Sequence, residues 1–316
     1  MEKVMRQPSA KKHKKPFPTH IIVFLAPATL LYTLFMVYPL VDSLRLSLFA
    51  PNANGVEVFA GLQNYVTLLT DPRWSARFWG ALRNNFVFFL IHSLVQNPVG
   101  LLLAALLSRH TLFGRNSYRT VLFMPTMLSV VIVGFIWQLI LSPLWGVAES
   151  MMSTVGIGDL FQPWLGLESS ALIALALISV WQFIGIPMML FYAALISIPD
   201  ELIEAARVDG ASNWTVFWRI KFPLILPTVG IVAILTYVGN FNAFDLIYTT
   251  QGALAGPNFS TDIMGTFFYR TFFGFQLQLG NPTMGATVAA MMFLIILLGV
   301  LIYLFGWQRR MTVYEV

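Results

Sequence analysis

Runs of apolar residues, each about as long as a lipid hydrocarbon core is thick, dominate the chain, and charged residues and prolines gather in the connections between them. A core of about 30 Å needs around 20 apolar residues per helix. Six segments meet that length: 21–43, 86–107, 121–141, 171–195, 224–247 and 285–306. They predict an all-α polytopic membrane protein with six transmembrane helices and both termini on one side. The organisation expected is a basic tail at 1–18, one membrane domain over 19–310 and a short C-terminal tail at 311–316.

Composition supports the bilayer, with 57% hydrophobic and 10% charged residues, where a soluble domain carries roughly 25% charged. The basic run Lys11, Lys12, Lys14 and Lys15 leads into an apolar stretch as long as a full span. It therefore reads as a retained first helix rather than a cleaved signal. With no cysteine in the chain, disulfides, zinc cages and thiol nucleophiles drop out.

Orientation follows from where Lys and Arg fall in the connections. An inward N-terminus puts fourteen of them in the cytoplasm and leaves five outside, namely Arg45, Arg73, Arg77, Arg83 and Arg270. The basic pI of about 9.5 is then a topology signal rather than a nucleic-acid footprint. The connection at 200–223 faces the cytoplasm on this count. In the outer connection at 248–284, Phe267, Phe268, Tyr269, Phe272, Phe273 and Phe275 surround Arg270, a composition suited to a helix lying at the lipid headgroups.

The most informative segment is that cytoplasmic hairpin, 199–223. Pro199 closes the fourth span, and Asp200, Glu201 and Glu204 load the first turns of a short helix where its positive dipole end lies. Gly210 suits the left-handed turn between two helices, and Ser212 or Asn213 can cap the second. Trp214, Phe217, Trp218 and Ile220 recur at helical spacing, with Pro223 and Pro227 marking re-entry into the membrane. The product is a helix–turn–helix knob or a plain connector resting on the lipid.

Here the sequence resembles a known family. Glu204-Ala205-Ala206, three residues, Gly210, nine residues, Ile220, one residue and an apolar-Pro pair ending at Pro223 match the EAA signature of the membrane subunits of binding-protein-dependent ABC importers. Phe222 stands where that pattern usually has leucine. The blocks YPLVDSLRLSLF at 38–49, FAGLQNYVTLL at 59–69, RTVLFMPTMLSVVIVGFIWQLI at 119–140 and IPDELIEAARVDGAS at 198–212 are similar to the sugar (carbohydrate uptake) branch, of maltose and multiple-sugar type.

The resemblance implies a permease subunit of the bacterial cytoplasmic (inner) membrane that forms half of a pathway for a sugar. Its implied partners are a second homologous permease, two cytoplasmic ATPase subunits and an extracytoplasmic solute-binding protein, with no nucleic acid. ATP and Mg would be bound by the ATPase partners and no cofactor by this chain. Glu204, Ala205, Ala206, Asp209 and Gly210 would carry the ATPase contact, Ile220 and Pro223 completing the signature. Small Ala205 and Ala206 would let the knob seat closely, and Glu204 would either meet the partner or cap the second helix. The outer loop Gln251 to Asn258 departs from the family's usual Gly-Gly-Pro stretch.

The chain contains no phosphate loop, no H-E-x-x-H and no G-x-S-x-G. It is therefore expected to be no enzyme, with no catalytic residue and no ATP hydrolysis of its own. His13, His20 and His110 are scattered, and no metal site is expected.

Polar groups within the spans are costly in lipid and face protein or water. The candidates for a substrate path are Asn240, Asn242 and Asp245 at the end of the fifth span, with Gln182, Gln138 and His92; Gln96 and Asn97 follow His92. Each also has a packing role open to it, since such groups hydrogen-bond neighbouring helices for about 0.6 kcal/mol. Amides and carboxylates suit sugar hydroxyls, and aromatic faces suit their C–H surfaces. Two rival readings remain: an ion-coupled carrier using Asp245 and His92, and a non-transporting docking scaffold.

Overall fold

The computed structural model describes residues 19–52, 55–109, 112–276 and 278–310. The tails at 1–18 and 311–316, with His13 and the loop residue His110, lie outside the described residues. The chain is mostly helical. In order come α1 (Val23–Leu46), a small hairpin of β1 (Phe49–Pro51) and β2 (Glu57–Phe59), α2 (Gln63–Thr70), α3 (Pro72–Leu107), α4 (Arg115–Met127), α5 (Val130–Leu141) and α6 (Val147–Thr154). Then follow α7 (Ala171–Phe183), α8 (Gly185–Ile196), α9 (Asp200–Val208), α10 (Asn213–Gln251), α11 (Met264–Phe273), a second hairpin of β3 (Gly274–Phe275) and β4 (Gln278–Leu279), and α12 (Pro282–Trp307). In β1–β2 the strands are antiparallel, with Phe49 opposite Phe59 and Pro51 opposite Glu57.

Among the described residues four helices, α1, α3, α10 and α12, are long and apolar enough to cross a membrane singly, and up to seven crossings result if each bent pair counts as one. The expected span 121–141 is not one rod. α4 and α5 meet at 95°, because Leu128 and Ser129 are extended with ψ of 144° and 133° after the turn containing Pro125. The expected span 171–195 is divided between α7 and α8 at Ile184, and α8 meets α9 at 69°.

Prolines that ought to end helices are absorbed instead. α1, α3 and α10 each contain a wide turn, at Thr33–Val37, His92–Gln96 and Phe217–Lys221, that ends two residues before Pro39, Pro98 and Pro223. In each, an N–H reaches back five residues: Tyr38 to Thr33, Asn97 to His92 and Phe222 to Phe217. Proline lacks the donor and crowds the carbonyl four residues back, and a widened turn makes room for its ring. The second limb of the hairpin is therefore not a separate short helix. It runs through Pro223 and Pro227 into the fifth apolar segment, broken only by a turn at Asn242 and Ala243.

Three buried clusters hold the bundle. At one end Ala104 and Leu107 of α3 meet Met188, Phe191 and Leu195 of α8 and Ile225 of α10. The α3–α8 approach is close enough at Gly100 that a Cβ would lie 3.2 Å from the Met188 nitrogen. Mid-bundle, Phe88 packs with Val133, Leu175 and Ile247. At the other end Leu68, Phe78, Phe241, Phe267 and Val288 join α2, α3, α10, α11 and α12. α1 has none of its apolar window buried in the chain.

α11 is the clearest departure from expectation. It is no surface helix: Met264, Thr266, Phe267, Arg270 and Thr271 are all buried, and it packs on α3 and α12. A lone cation was read as a headgroup anchor, but Asp262 supplies it with an internal partner.

Candidate functional site

The hairpin is built by local rules that the sequence carries. α9 ends in the paired bonds of a glycine-capped terminus, with the Ala211 N–H donating to the Ala206 carbonyl at 2.9 Å and the Gly210 N–H to Arg207 at 3.0 Å. Gly210 has φ of +82°, a left-handed conformation costing a residue with a Cβ roughly 1–2 kcal/mol. The Ser212 side chain accepts from the Thr215 N–H at 3.2 Å and so caps the following helix. Glu204 makes no hydrogen bond with any described residue, so the capping alternative for its carboxylate gives way to Ser212.

Burial divides the knob into a root and a tip. Ile203 and Val216 are buried, and Ala206 and Ala211 pack with them against Leu107, Leu195 and Ile198. Glu204, Ala205, Asp209 and Gly210 are exposed, Ile220 is half-buried and Pro223 exposed. Leu202, Val208 (87% exposed) and Trp214 (73% exposed) add bare apolar surface to the tip and side. Apolar groups that local packing leaves open on a projecting element mark a contact surface. Trp214, Trp218 and Phe222 run down one side of the second limb with centroids 5.6 and 5.0 Å apart, the first pair edge-on and the second tilted.

The polar candidates scatter. Asn240 is buried and donates to the Thr236 carbonyl at 2.5 Å, while its backbone carbonyl accepts from Asn85 at 2.9 Å. Asn242 and Asp245 are exposed, unlike the buried Asn240. His92 is buried with both ring nitrogens used: Nδ1 lies 2.8 Å from the Phe88 carbonyl and Nε2 3.0 Å from Ser179 Oγ. A carbonyl can only accept, so Nδ1 donates to Phe88, and the Ser179 contact at the other nitrogen fixes the ring in place.

Gln182 has a structural task. Its side chain donates to the Leu128 carbonyl at 3.0 Å, and its backbone carbonyl accepts from Thr126 Oγ1 at 2.9 Å. The break between α4 and α5 and the one between α7 and α8 thus satisfy each other's orphaned groups. Gln138 donates to the Thr250 carbonyl at 2.7 Å near the end of α10.

Sequence reasoning missed the groups that anchor the loop between α10 and α11. Asn84 of α3 donates to the Ser260 and Asp262 carbonyls at 3.0 and 2.8 Å, and Asn85 accepts from the Met264 N–H at 2.8 Å. Arg270 bonds both Asp262 oxygens at 3.3 and 2.6 Å and the Ala253 carbonyl at 2.8 Å. Thr266 donates to Asp262 Oδ1 at 2.7 Å. Burial pushes the Asp262 carboxyl up, against the hydrogen bonds from Arg270 and Thr266 that lower it. The only mark in the sequence is one Asp and one Arg eight residues apart in an apolar connection, which offers a pair without fixing it.

Comparison with known proteins completes the picture. Residues 96–309 match the family model described as binding-protein-dependent transport system inner membrane component. A probable ABC transporter permease protein of Bacillus subtilis is 33% identical over 79% of this chain and 84% of its own. A probable starch degradation products transport system permease protein of Thermoanaerobacterium thermosulfurigenes is 32% identical over 91% of this chain and 94% of its own. A chain of a bacterial ABC transporter that imports the acidic polysaccharide alginate superposes with a TM-score of 0.76 at 22% identity, over 93% of this chain and 96% of that one, which establishes the permease fold. The chain belongs to the family of binding-protein-dependent transport system inner membrane components, the permease subunits of ABC transporters.

Proposed function

We propose that this chain forms half of the translocation pathway of an ATP-driven importer for a sugar or oligosaccharide and takes its motion from a cytoplasmic ATPase through the hairpin at 199–223. One observation carries the reading. The knob presents Glu204, Ala205, Asp209 and Gly210 outward, while its second limb is the start of α10, a 39-residue helix. At 1.5 Å per residue that helix is about 58 Å long. Displacing the knob therefore moves a lever whose far end, at Thr250 and Gln251, is tied to Gln138 and to the Leu165 carbonyl.

On this reading six crossings leave both termini and the knob in the cytoplasm, in line with the fourteen-to-five distribution of Lys and Arg. A second, homologous permease supplies the other half of the path, two ATPases hold ATP and Mg, and a solute-binding protein delivers the sugar from outside. The sugar class draws support from relatives named for starch products, lactose and arabinooligosaccharides. Alternation between outward-open and inward-open states follows as the ATPases close and open. The ion-coupled alternative would use Asp245, which is exposed, and His92, which is held between Phe88 and Ser179, and it predicts uptake that follows an ion gradient without an ATPase.

Cross-linking tests the contact. Ala205→Cys, on the exposed tip, is expected to form a specific cross-link with a single cysteine placed in the cleft of the ATPase, with an efficiency that changes on ATP binding. Absence of any cross-link from Ala205 or Asp209 in an otherwise assembled complex overturns the proposal.

A further inference from the structure

We infer that the end of the chain remote from the knob carries a subsite for one uncharged saccharide unit, built by Gln138, Ser142, Trp145 and Gln251. The inference rests on the permease reading and names the charge class of its substrate.

A cleft of about 480 Å³ opens beside the C-terminal end of α5, bounded by Gln138, Ser142, Trp145, Leu165, Thr250 and Gln251. The two glutamines are oriented by the bonds they donate, Gln138 to the Thr250 carbonyl at 2.7 Å and Gln251 to the Leu165 carbonyl at 3.0 Å. With each Nε2 so committed, each Oε1 is left with no donor among the described residues. Ser142 Oγ accepts from the Leu144 N–H at 3.2 Å and keeps its own proton to give. Each amide also keeps its second N–H, so two acceptors and three donors share the cleft with the indole of Trp145, which is 69% exposed. Hydroxyls that both donate and accept, on a ring with an apolar C–H face, complement that set. An adjoining cleft of about 470 Å³, walled by Trp137, Trp164 and Trp181, shares Leu141 with the first and extends the aromatic surface.

Charge decides between sugar classes. No Lys, Arg, Asp or Glu borders either cleft. The connection at 142–170 holds Glu149, Asp159 and Glu168 and no cation. Of the other arginines on the expected outer side, Arg45 pairs with Asp42 at 2.9 Å, Arg73 with Asp71 at 2.7 Å and Arg270 with Asp262 at 2.6 Å. Arg77 lies 3.5 Å from the centroid of the Phe259 ring, and Arg83 borders neither cleft. A uronate would leave water for a cleft that no cation borders, which is unfavourable.

The test uses the assembled importer in lipid nanodiscs without its binding protein, and saturation-transfer NMR with maltotetraose, arabinotetraose, galactotetraose and tetraguluronate. Transfer to at least one neutral tetrasaccharide and none to tetraguluronate is expected. Trp145→Ala and Gln251→Ala should each weaken that signal by roughly tenfold, equivalent to 1.4 kcal/mol, with ATPase co-purification retained. Equal transfer to tetraguluronate, no transfer to any neutral sugar, or an unchanged signal in both variants overturns the subsite. Any of these with ATPase binding intact leaves the permease reading standing; loss of ATPase binding by the wild type removes that reading itself.

Discussion

Replacing Arg270 by methionine tests the account of the outer loop quantitatively. Arg270 and Asp262 are only 3% and 2% exposed, and the guanidinium also holds the Ala253 carbonyl at 2.8 Å. Arg270→Met keeps an apolar stem of similar length but strands a buried carboxylate and a backbone acceptor. Breaking a buried pair in this way costs about 3–5 kcal/mol, whereas replacing both members by apolar residues is often neutral. The single variant should lose about that much in an unfolding titration in bicelles, and Arg270→Met with Asp262→Leu should regain most of it. The loss should also depend on pH. Without Arg270, burial outweighs the remaining hydrogen bond from Thr266, so the folded pKa of Asp262 lies above the unfolded value of about 3.9. A raised acid pKa destabilises the folded state above that folded pKa, and the penalty disappears below about pH 3.9. The variant should thus approach wild-type stability as pH falls. A loss under about 1 kcal/mol at neutral pH, or a double variant no more stable than the single one, refutes the reasoning.

Other expectations follow from single contacts. Gln182→Leu removes the donor to the Leu128 carbonyl at the α4–α5 break and should cost about 1–3 kcal/mol, read as a lower thermal midpoint and faster hydrogen exchange at 126–130. Ser212→Ala should cost about 1 kcal/mol in the turn of the knob, visible as local exchange at 212–216 with little change in global unfolding. His92→Asn should retain uptake that is insensitive to protonophores, measured in proteoliposomes with an ATP-regenerating system; uptake that follows an imposed proton gradient and vanishes in the variant would favour the ion-coupled carrier.

Much of the architecture was legible because lipid imposes a length rule: the segments at 86–107, 224–247 and 285–306 fall within α3, α10 and α12, and 21–43 overlaps α1 over nearly all of its length. The knob was legible because Pro199, Gly210 and Ser212 act through local backbone chemistry. What could not be read was set by tertiary partners. Pro125 and the extended Leu128 break a segment whose hydropathy is that of a plain span, and the break is tolerated because Thr126 and Gln182 supply bonds from 50 or more residues away. Pro223 looked like a boundary because its remedy, the wide turn at Phe217–Lys221, leaves no mark in composition. Arg270 looked interfacial because proximity to Asp262 is a property of the fold. Asn240, Asn242 and Asp245 read alike in the sequence, yet the first is buried and the others, at and beyond the turn at Asn242 and Ala243, are exposed.

The most direct test of the central claim is ATP hydrolysis by the assembled importer in lipid, stimulated by sugar-loaded binding protein, with Glu204→Lys and Gly210→Asp compared with wild type. Both positions are exposed, and a Cβ at 210 would meet nothing within 4 Å, so any effect arises at the contact and from the left-handed backbone rather than from the core. The account predicts that both variants insert and fold but lose ATPase binding or stimulation together with uptake. Full stimulation and uptake in both variants would contradict it.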